Sequence, residues 1–183
     1  MKSRRFRRDF FFTKNSNMQI HLRPLERSDA NDLARHANNI KIAQNLTDQF
    51  PHPYSLDNAN QFIEMLLNKT PPNVLCIEVD SAVAGAIGIH PQNDIWCNNA
   101  ELGYWLAEPY WGKGIMTKAI GDMVSYGFEH FDINRIFARP FGRNKASQIV
   151  LEKNGFALEA TLNGTIVKSG QVEDECIYGI RRY

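Results

Sequence analysis

The stretch Glu101-Leu102-Gly103-Tyr104-Trp105-Leu106-Ala107-Glu108-Pro109-Tyr110-Trp111-Gly112-Lys113-Gly114-Ile115-Met116 decides how the chain reads. Leu102 to Leu106 have strand composition, Pro109 ends any ladder, and Gly112 and Gly114 loosen the backbone. Beyond them Ile115, Ala119, Met123, Val124, Gly127, Phe128 and Phe131 recur at helical spacing. A strand thus runs through a glycine turn into a helix start, where about four backbone N–H groups lack helical acceptors and the dipole supplies roughly half a positive charge. Glycine lets the main chain come close to an anion, so those donors can take a pyrophosphate without a metal or a lysine clamp. The same pattern also arises wherever a helix packs tightly on a strand. It suggests a phosphate-bearing ligand without requiring one.

Strand and helix signals surround this stretch. Ile20, Leu22 and Pro24 to Leu25 read as a short strand, and Ser28 is a fitting N-cap for a helix with Leu33, Ala34 and Ala37 on one side. Ile40 to Leu46 reads as a second short helix. Two prolines keep Phe50-Pro51-His52-Pro53-Tyr54 out of helix, and Ser55 caps a helix carrying Phe62, Ile63, Leu66 and Leu67. Val74 to Val79 and Ala82 to His90 form a hairpin across Asp80-Ser81, and Asn99 to Leu106 feeds the glycine turn. After the long helix come a strand at Arg135 to Ala138, a helix at Ala146 to Asn154 stopped by Gly155, and strands at Phe156 to Leu162 and Cys176 to Ile180. The order predicts an α/β (α+β) domain with a mixed, mostly antiparallel sheet; only the two strands flanking the long helix must be parallel.

A chain of 183 residues with 43% hydrophobic content makes one compact domain without needing a second. A net charge of +1 gives no bulk field for nucleic acid or for an acidic membrane. The notable charge is local. Lys2, Arg4, Arg5, Arg7 and Arg8 interleave with Phe6, Phe10, Phe11 and Phe12, and Thr13 to Asn17 reads as a polar linker before Met18. Residues 1–17 are thus expected to be a disordered tail or an upstream extension, with residues 18–183 as the domain. Arginine beside phenylalanine also allows phosphate attraction and base stacking, a weaker nucleic-acid reading. Asp9 interrupts the apolar core that a secretory signal needs, and no apolar run is long enough to span a bilayer, so a cytoplasmic protein off the membrane is expected. Cys76, Cys97 and Cys176 show no Cys-x-x-Cys spacing and are read as free thiols, with Cys76 a small core residue. The five histidines are scattered, so no metal site is expected.

Tyr110-Trp111-Gly112-Lys113-Gly114-Ile115-Met116-Thr117-Lys118-Ala119 resembles the acyl-CoA pyrophosphate loop of the Gcn5-related N-acetyltransferases. Asn144-Lys145-Ala146-Ser147 with Leu151-Glu152-Lys153-Asn154-Gly155-Phe156 resembles the second cofactor segment of that superfamily. Glu101-Leu102-Gly103-Tyr104-Trp105-Leu106 is similar to the strand before the loop in its ribosomal-protein N-terminal acetyltransferase (RimJ/RimL-like) branch. The order and spacing of all three agree, and the resemblance covers about residues 19–183. It departs at Pro109, where a glutamine or arginine is common, at Met116, usually small, and at Lys118, commonly an acid.

The resemblance implies two central parallel strands that splay apart, with the pantetheine arm of acetyl-CoA inserted between them. Main-chain groups of Tyr104, Trp105 and Leu106 would hold that arm. Trp111, Gly112, Lys113, Gly114, Ile115 and Met116 would form the pyrophosphate loop, with Lys113 either a supporting charge or a solvated lysine. Asn144 and Ser147 would lie beside the pantetheine and the sulfur. Transfer to an amine needs a proton acceptor, because an α-amino group has a pKa of about 7.7–8.0 and lysine about 10.4. Glu101 is the best-placed carboxylate, directly or through a water, unless it merely pairs with a basic neighbour at a sheet edge. Ser147 is the candidate donor to the departing thiolate, ahead of Tyr104 or Tyr110, unless it only bonds backbone at a helix start. The implied activity is acetyl-CoA-dependent acetylation of a primary amine, on a small molecule or a protein N-terminus, with Phe50 to Tyr54 lining the acceptor side. A homodimer stays open. The other reading is a non-catalytic acyl-CoA-binding or partner-binding module on the same fold.

Overall fold

The computed structural model describes residues 18–182. Residues 1–17, and with them the basic and aromatic tail, lie outside the described residues. The elements are β1 (Ile20–Arg23), α1 (Ala30–Ala37), α2 (Ile40–Ala43), α3 (Leu56–Leu66), β2 (Val74–Val79), β3 (Ala82–Pro91), β4 (Asn99–Leu106), α4 (Ile115–His130), β5 (Arg135–Ala138), α5 (Lys145–Lys153), β6 (Ala157–Lys168) and β7 (Gln171–Arg181). They build one seven-stranded sheet in the order β1-β2-β3-β4-β5-β7-β6. Every neighbouring pair is antiparallel except β4 and β5.

Local chemistry explains the boundaries. Asp80 and Ser81 take φ of 50° and 68°, the doubly left-handed turn that matches the twist of a tight hairpin. Ser55 accepts from the Asn58 N–H and Asn58 Oδ1 accepts from the Ser55 N–H, a reciprocal cap on α3. Ser28 does not cap α1. Asp29 takes that place, because its carboxylate accepts from the Glu26 N–H at 2.8 Å and from Arg23 at 2.8 and 2.9 Å, drawing Arg27–Asp29 into a 3-10 turn. The second helix is shorter than expected, ending at Ala43. The last two strands are longer, because a left-handed turn at Ser169 and Gly170 lets β6 and β7 pair as far as Lys168 and Gln171.

Two apolar clusters cover the two faces. One packs α4 and α5 on the sheet, with Ile115, Ala119, Ile120, Met123, Leu151, Ile136 and Leu102 buried together. The expected stripe of α4 is core at Ile115, Ala119, Met123 and Gly127, while Val124, Phe128 and Phe131 are only partly buried. The other packs α1 and α3 on β2, β3 and Trp105, around Leu33, Ile63, Cys76 and Ala86. Among the described residues, no helix covers β5, β7 and β6 on this second face. Cys76 and Cys176 are buried and Cys97 is exposed, all three as free thiols. Burial pushes the Cys76 thiol up to about 12.

Candidate active site

The parallel ladder between β4 and β5 is short. Asn99, Ala100 and Glu101 pair with Arg135, Ile136 and Phe137, and no pairing joins Leu102–Leu106 to β5. Past Ala138 the chain leans to β7, where the Cys176 N–H donates to the Pro140 carbonyl and Phe141 bridges to Glu175. A notch therefore opens between the two strands just beyond Glu101.

Main-chain direction in β4 follows from its flanking bonds. The Ala107 N–H donates to Ala84, and Asn99 accepts from Gln92, so odd-numbered residues turn their amide groups toward β3. Tyr104 and Leu106 turn theirs toward the notch, and Trp105 does not. The Leu106 carbonyl accepts from the Trp111 indole at 2.7 Å, which fixes that ring at the head of the turn.

Side chains alternate the other way, so the two candidate catalytic residues lie on opposite faces. Tyr104 points to the α5 side, where its hydroxyl and that of Ser147 lie 2.7 Å apart. Burial pushes the Tyr104 phenol up to about 12 against the opposing pull of Ser147, so it stays a neutral hydroxyl. Ser147 is positioned by Asn144, which caps α5 by accepting from the Ser147 N–H at 3.2 Å. Glu101 points to the α1 side together with Trp105, whose ring meets Phe50 edge-on with centroids 6.0 Å apart; Phe50 in turn lies 5.1 Å from Tyr54. Arg139 Nε approaches Glu101 to 4.0 Å while holding buried Glu175 at 2.9 Å.

At the end of β4 the glycine turn is built as its composition suggests. Gly112 and Gly114 have φ of 72° and 76°, and a Cβ at either would meet nothing within 4 Å. The first bond of α4 runs from the Lys118 N–H to the Gly114 carbonyl, so the N–H groups of Ile115, Met116 and Thr117 have no helical acceptor. The side chains of Ile115 and Met116 are buried below, leaving only their amides to the turn. Lys113 lies over the Tyr110 ring, 5.7 Å from its centroid. Donors and open space fit an anion there, and the notch fits an extended arm between turn and sheet.

One neighbour of Glu101 is invisible to local sequence reading. The β3–β4 register sets His90 opposite Glu101 on the same face. Its Nε2 is 2.9 and 3.7 Å from where a Cβ would stand at Gly88 and Gly103, so a side chain at Gly88 would displace the ring, whereas at Gly103 the ring is at ordinary contact distance. Partial desolvation lowers the His90 pKa, with Glu101 acting in the opposite direction. Finding this pair from sequence requires knowing the register across the connection at 92–98.

The rim is tied across the chain. Arg143 donates to Gln44 and Asn45 at 2.6 and 2.7 Å and to Glu173, and Lys168 donates to Asp48 at 2.6 Å. These bonds join the β6–β7 hairpin to the segment after α2. Among the described residues there is no cluster of side chains that could hold a metal ion, and no helix is long and apolar enough to cross a membrane.

Known proteins share this architecture. YdaF of Bacillus subtilis (strain 168), provisionally named a ribosomal N-acetyltransferase, is 31% identical over 101 residues, 55% of each chain. The chain spans about half the length of the first curated relatives that it matches. The spermidine N(1)-acetyltransferase of Escherichia coli (strain K12) is 23% identical over 163 residues, 87% of this chain and 86% of that one. Among solved structures, RimL, the ribosomal L7/L12 α-N-protein acetyltransferase in complex with coenzyme A, superposes with a TM-score of 0.76. It is 22% identical and covers 88% of this chain and 93% of that one, a likeness of fold. The model of the acetyltransferase (GNAT) domain matches residues 19–157, and with the notch and turn described above the chain belongs to that family.

Proposed function

We propose that this protein is an acetyl-CoA-dependent N-acetyltransferase that acetylates the α-amino group of a polypeptide by direct attack on the thioester, and that residues 18–183 carry the activity. The observation that carries the reading is the parting of β4 from β5 directly after Glu101, with unpaired main chain at Tyr104 and a donor-lined turn at Gly112 to Met116. In this reading the turn holds the pyrophosphate and the Tyr104 main chain holds the pantetheine arm. The Tyr104–Ser147 hydroxyl pair donates to the departing sulfur, and Glu101 on the opposite face draws the proton from the amine. Coenzyme A in the RimL structure supports the ligand.

A polypeptide acceptor is favoured by the open face of β5, β7 and β6 beside Glu101, where Phe137 and Ile177 are half-buried and Arg139 is exposed. RimL, by its name, acts on ribosomal L7/L12, and YdaF is provisionally named a ribosomal N-acetyltransferase. The spermidine relative supports a small polyamine instead, on its longer coverage. Arg139, the cation beside Glu101, speaks against an acceptor carrying several positive charges. The test incubates labelled acetyl-CoA with a serine-initiated peptide and with spermidine, and locates the label by mass spectrometry. Label on the peptide α-amine supports the reading, label on spermidine alone replaces the acceptor, and acetyl-CoA bound with neither labelled leaves a non-catalytic binding module.

A further inference from the structure

We propose that His90 is a catalytic residue, the group that takes the proton from the attacking amine, and that Glu101 acts through it by holding the imidazolium. This rests on the acetyltransferase reading and changes the route of its proton. His90, the penultimate residue of β3, is exposed and in register with Glu101 on the same face. Its Nε2 reaches over Gly103, one residue before Tyr104, whose main chain faces the notch. Glu101 lies two residues further back along β4 and has Arg139 at 4.0 Å. The imidazole thus lies on the face of the carboxylate, over the Gly88–Gly103 pair and one residue short of Tyr104.

The steps balance. A bound ammonium gives one proton to His90 Nε2, leaving a neutral amine and an imidazolium opposite Glu101. The amine nitrogen bonds to the acetyl carbon and the carbon–sulfur bond breaks. The second proton lost by that nitrogen passes to the sulfur through the Tyr104–Ser147 hydroxyls, and His90 returns its proton to solvent. Glu101 from β4 is the charged group that acts on the ring, and it faces Arg139 beyond β5, which pairs with Glu175 from β7. Desolvation lowers the His90 pKa, and Glu101 raises it. An imidazole neutral at pH 7 is matched better to an α-amine of pKa about 7.7–8.0 than to a side-chain amine near 10.4.

The test compares wild type, His90→Gln and Glu101→Gln in transfer to the serine-initiated peptide across pH, with acetyl-CoA affinity, melting temperature and the imidazole NMR titration of His90. His90→Gln is expected to lower kcat by about 10²-fold or more with affinity and melting unchanged. Glu101→Gln is expected to move the acid limb of the rate profile and the His90 titration together toward lower pH. A His90→Gln variant with wild-type kcat and an unchanged profile overturns the assignment. If wild type binds acetyl-CoA and labels neither peptide nor spermidine, the acetyltransferase reading fails instead. The His90 titration then decides the pairing, and a ring titrating at its ordinary value and unmoved by Glu101→Gln overturns it.

Discussion

Glutamine at position 101 keeps the shape of the side chain and removes its charge, which separates a role in proton transfer from a role at a sheet edge. With Arg139 at 4.0 Å and His90 in register, Glu101 has neighbours of both kinds. Direct proton acceptance by Glu101 predicts a fall in kcat of about 10²-fold at neutral pH with partial recovery at higher pH as the amine becomes neutral, whereas action through His90 predicts an acid limb moved to lower pH; acetyl-CoA affinity is preserved in both. Steady-state rates with calorimetry decide it; early melting with kcat intact makes Glu101 structural. At this scale the legible residues were those inside contiguous motifs. Glu101, Tyr104 and Ser147 sit in segments with recognisable neighbours, and the 2.7 Å Tyr104–Ser147 contact joins two of those segments. His90 was not legible, because its significance is a cross-strand pairing that no short turn fixes.

Gly112→Val or Gly114→Val tests the turn as an element. Left-handed φ at a residue with a Cβ costs about 1–2 kcal/mol, and the added side chain fills the space before the free amides of α4. Acetyl-CoA affinity is expected to fall at least about tenfold, in line with 1.4 kcal/mol per decade. Unchanged calorimetric affinity in folded variants would make the turn a plain connector. A second element-level prediction concerns the start of α1. Burial alone pushes the Asp29 carboxyl up, but the hydrogen bonds from Arg23 and from the Glu26 N–H outweigh it and hold it below its usual value. Folded Asp29 therefore resists protonation. Its contribution is full above the unfolded carboxylate value of about 3.9 and is lost as the pH falls through the lower folded value. Asp29→Asn is expected to cost about 1.5–3 kcal/mol at pH 7 and much less at pH 3, read from urea midpoints. The elements with clear periodicity were legible near their full length, whereas the second half of β6 and the first half of β7 were not. Nearly every side chain of β6, the edge strand, is exposed or half-exposed, so its polar alternation carries no buried face to read.

For the molecule as a whole, deletion of residues 1–17 is expected to leave the melting temperature and transfer rate nearly unchanged, because the Thr13 to Asn17 composition is that of a linker. A large loss of stability would mean that Phe6 and Phe10 to Phe12 pack on the domain. The single parallel pair was legible from element order alone, since a strand, a long helix and a strand require a crossover. In mechanical terms the domain is two plates, β1 to β4 and β5 to β6, joined edge to edge by a seam of three residue pairs and laced at the rim by Arg143 and Lys168. A molecule held by both plates works as a staple across that seam. At about a hundredfold excess over Kd, acetyl-CoA should add about 2.7 kcal/mol of stability. Amide exchange should slow most at Tyr104 and Leu106, the residues facing the seam, and protection spread evenly over the sheet would mean that the plates already move as one.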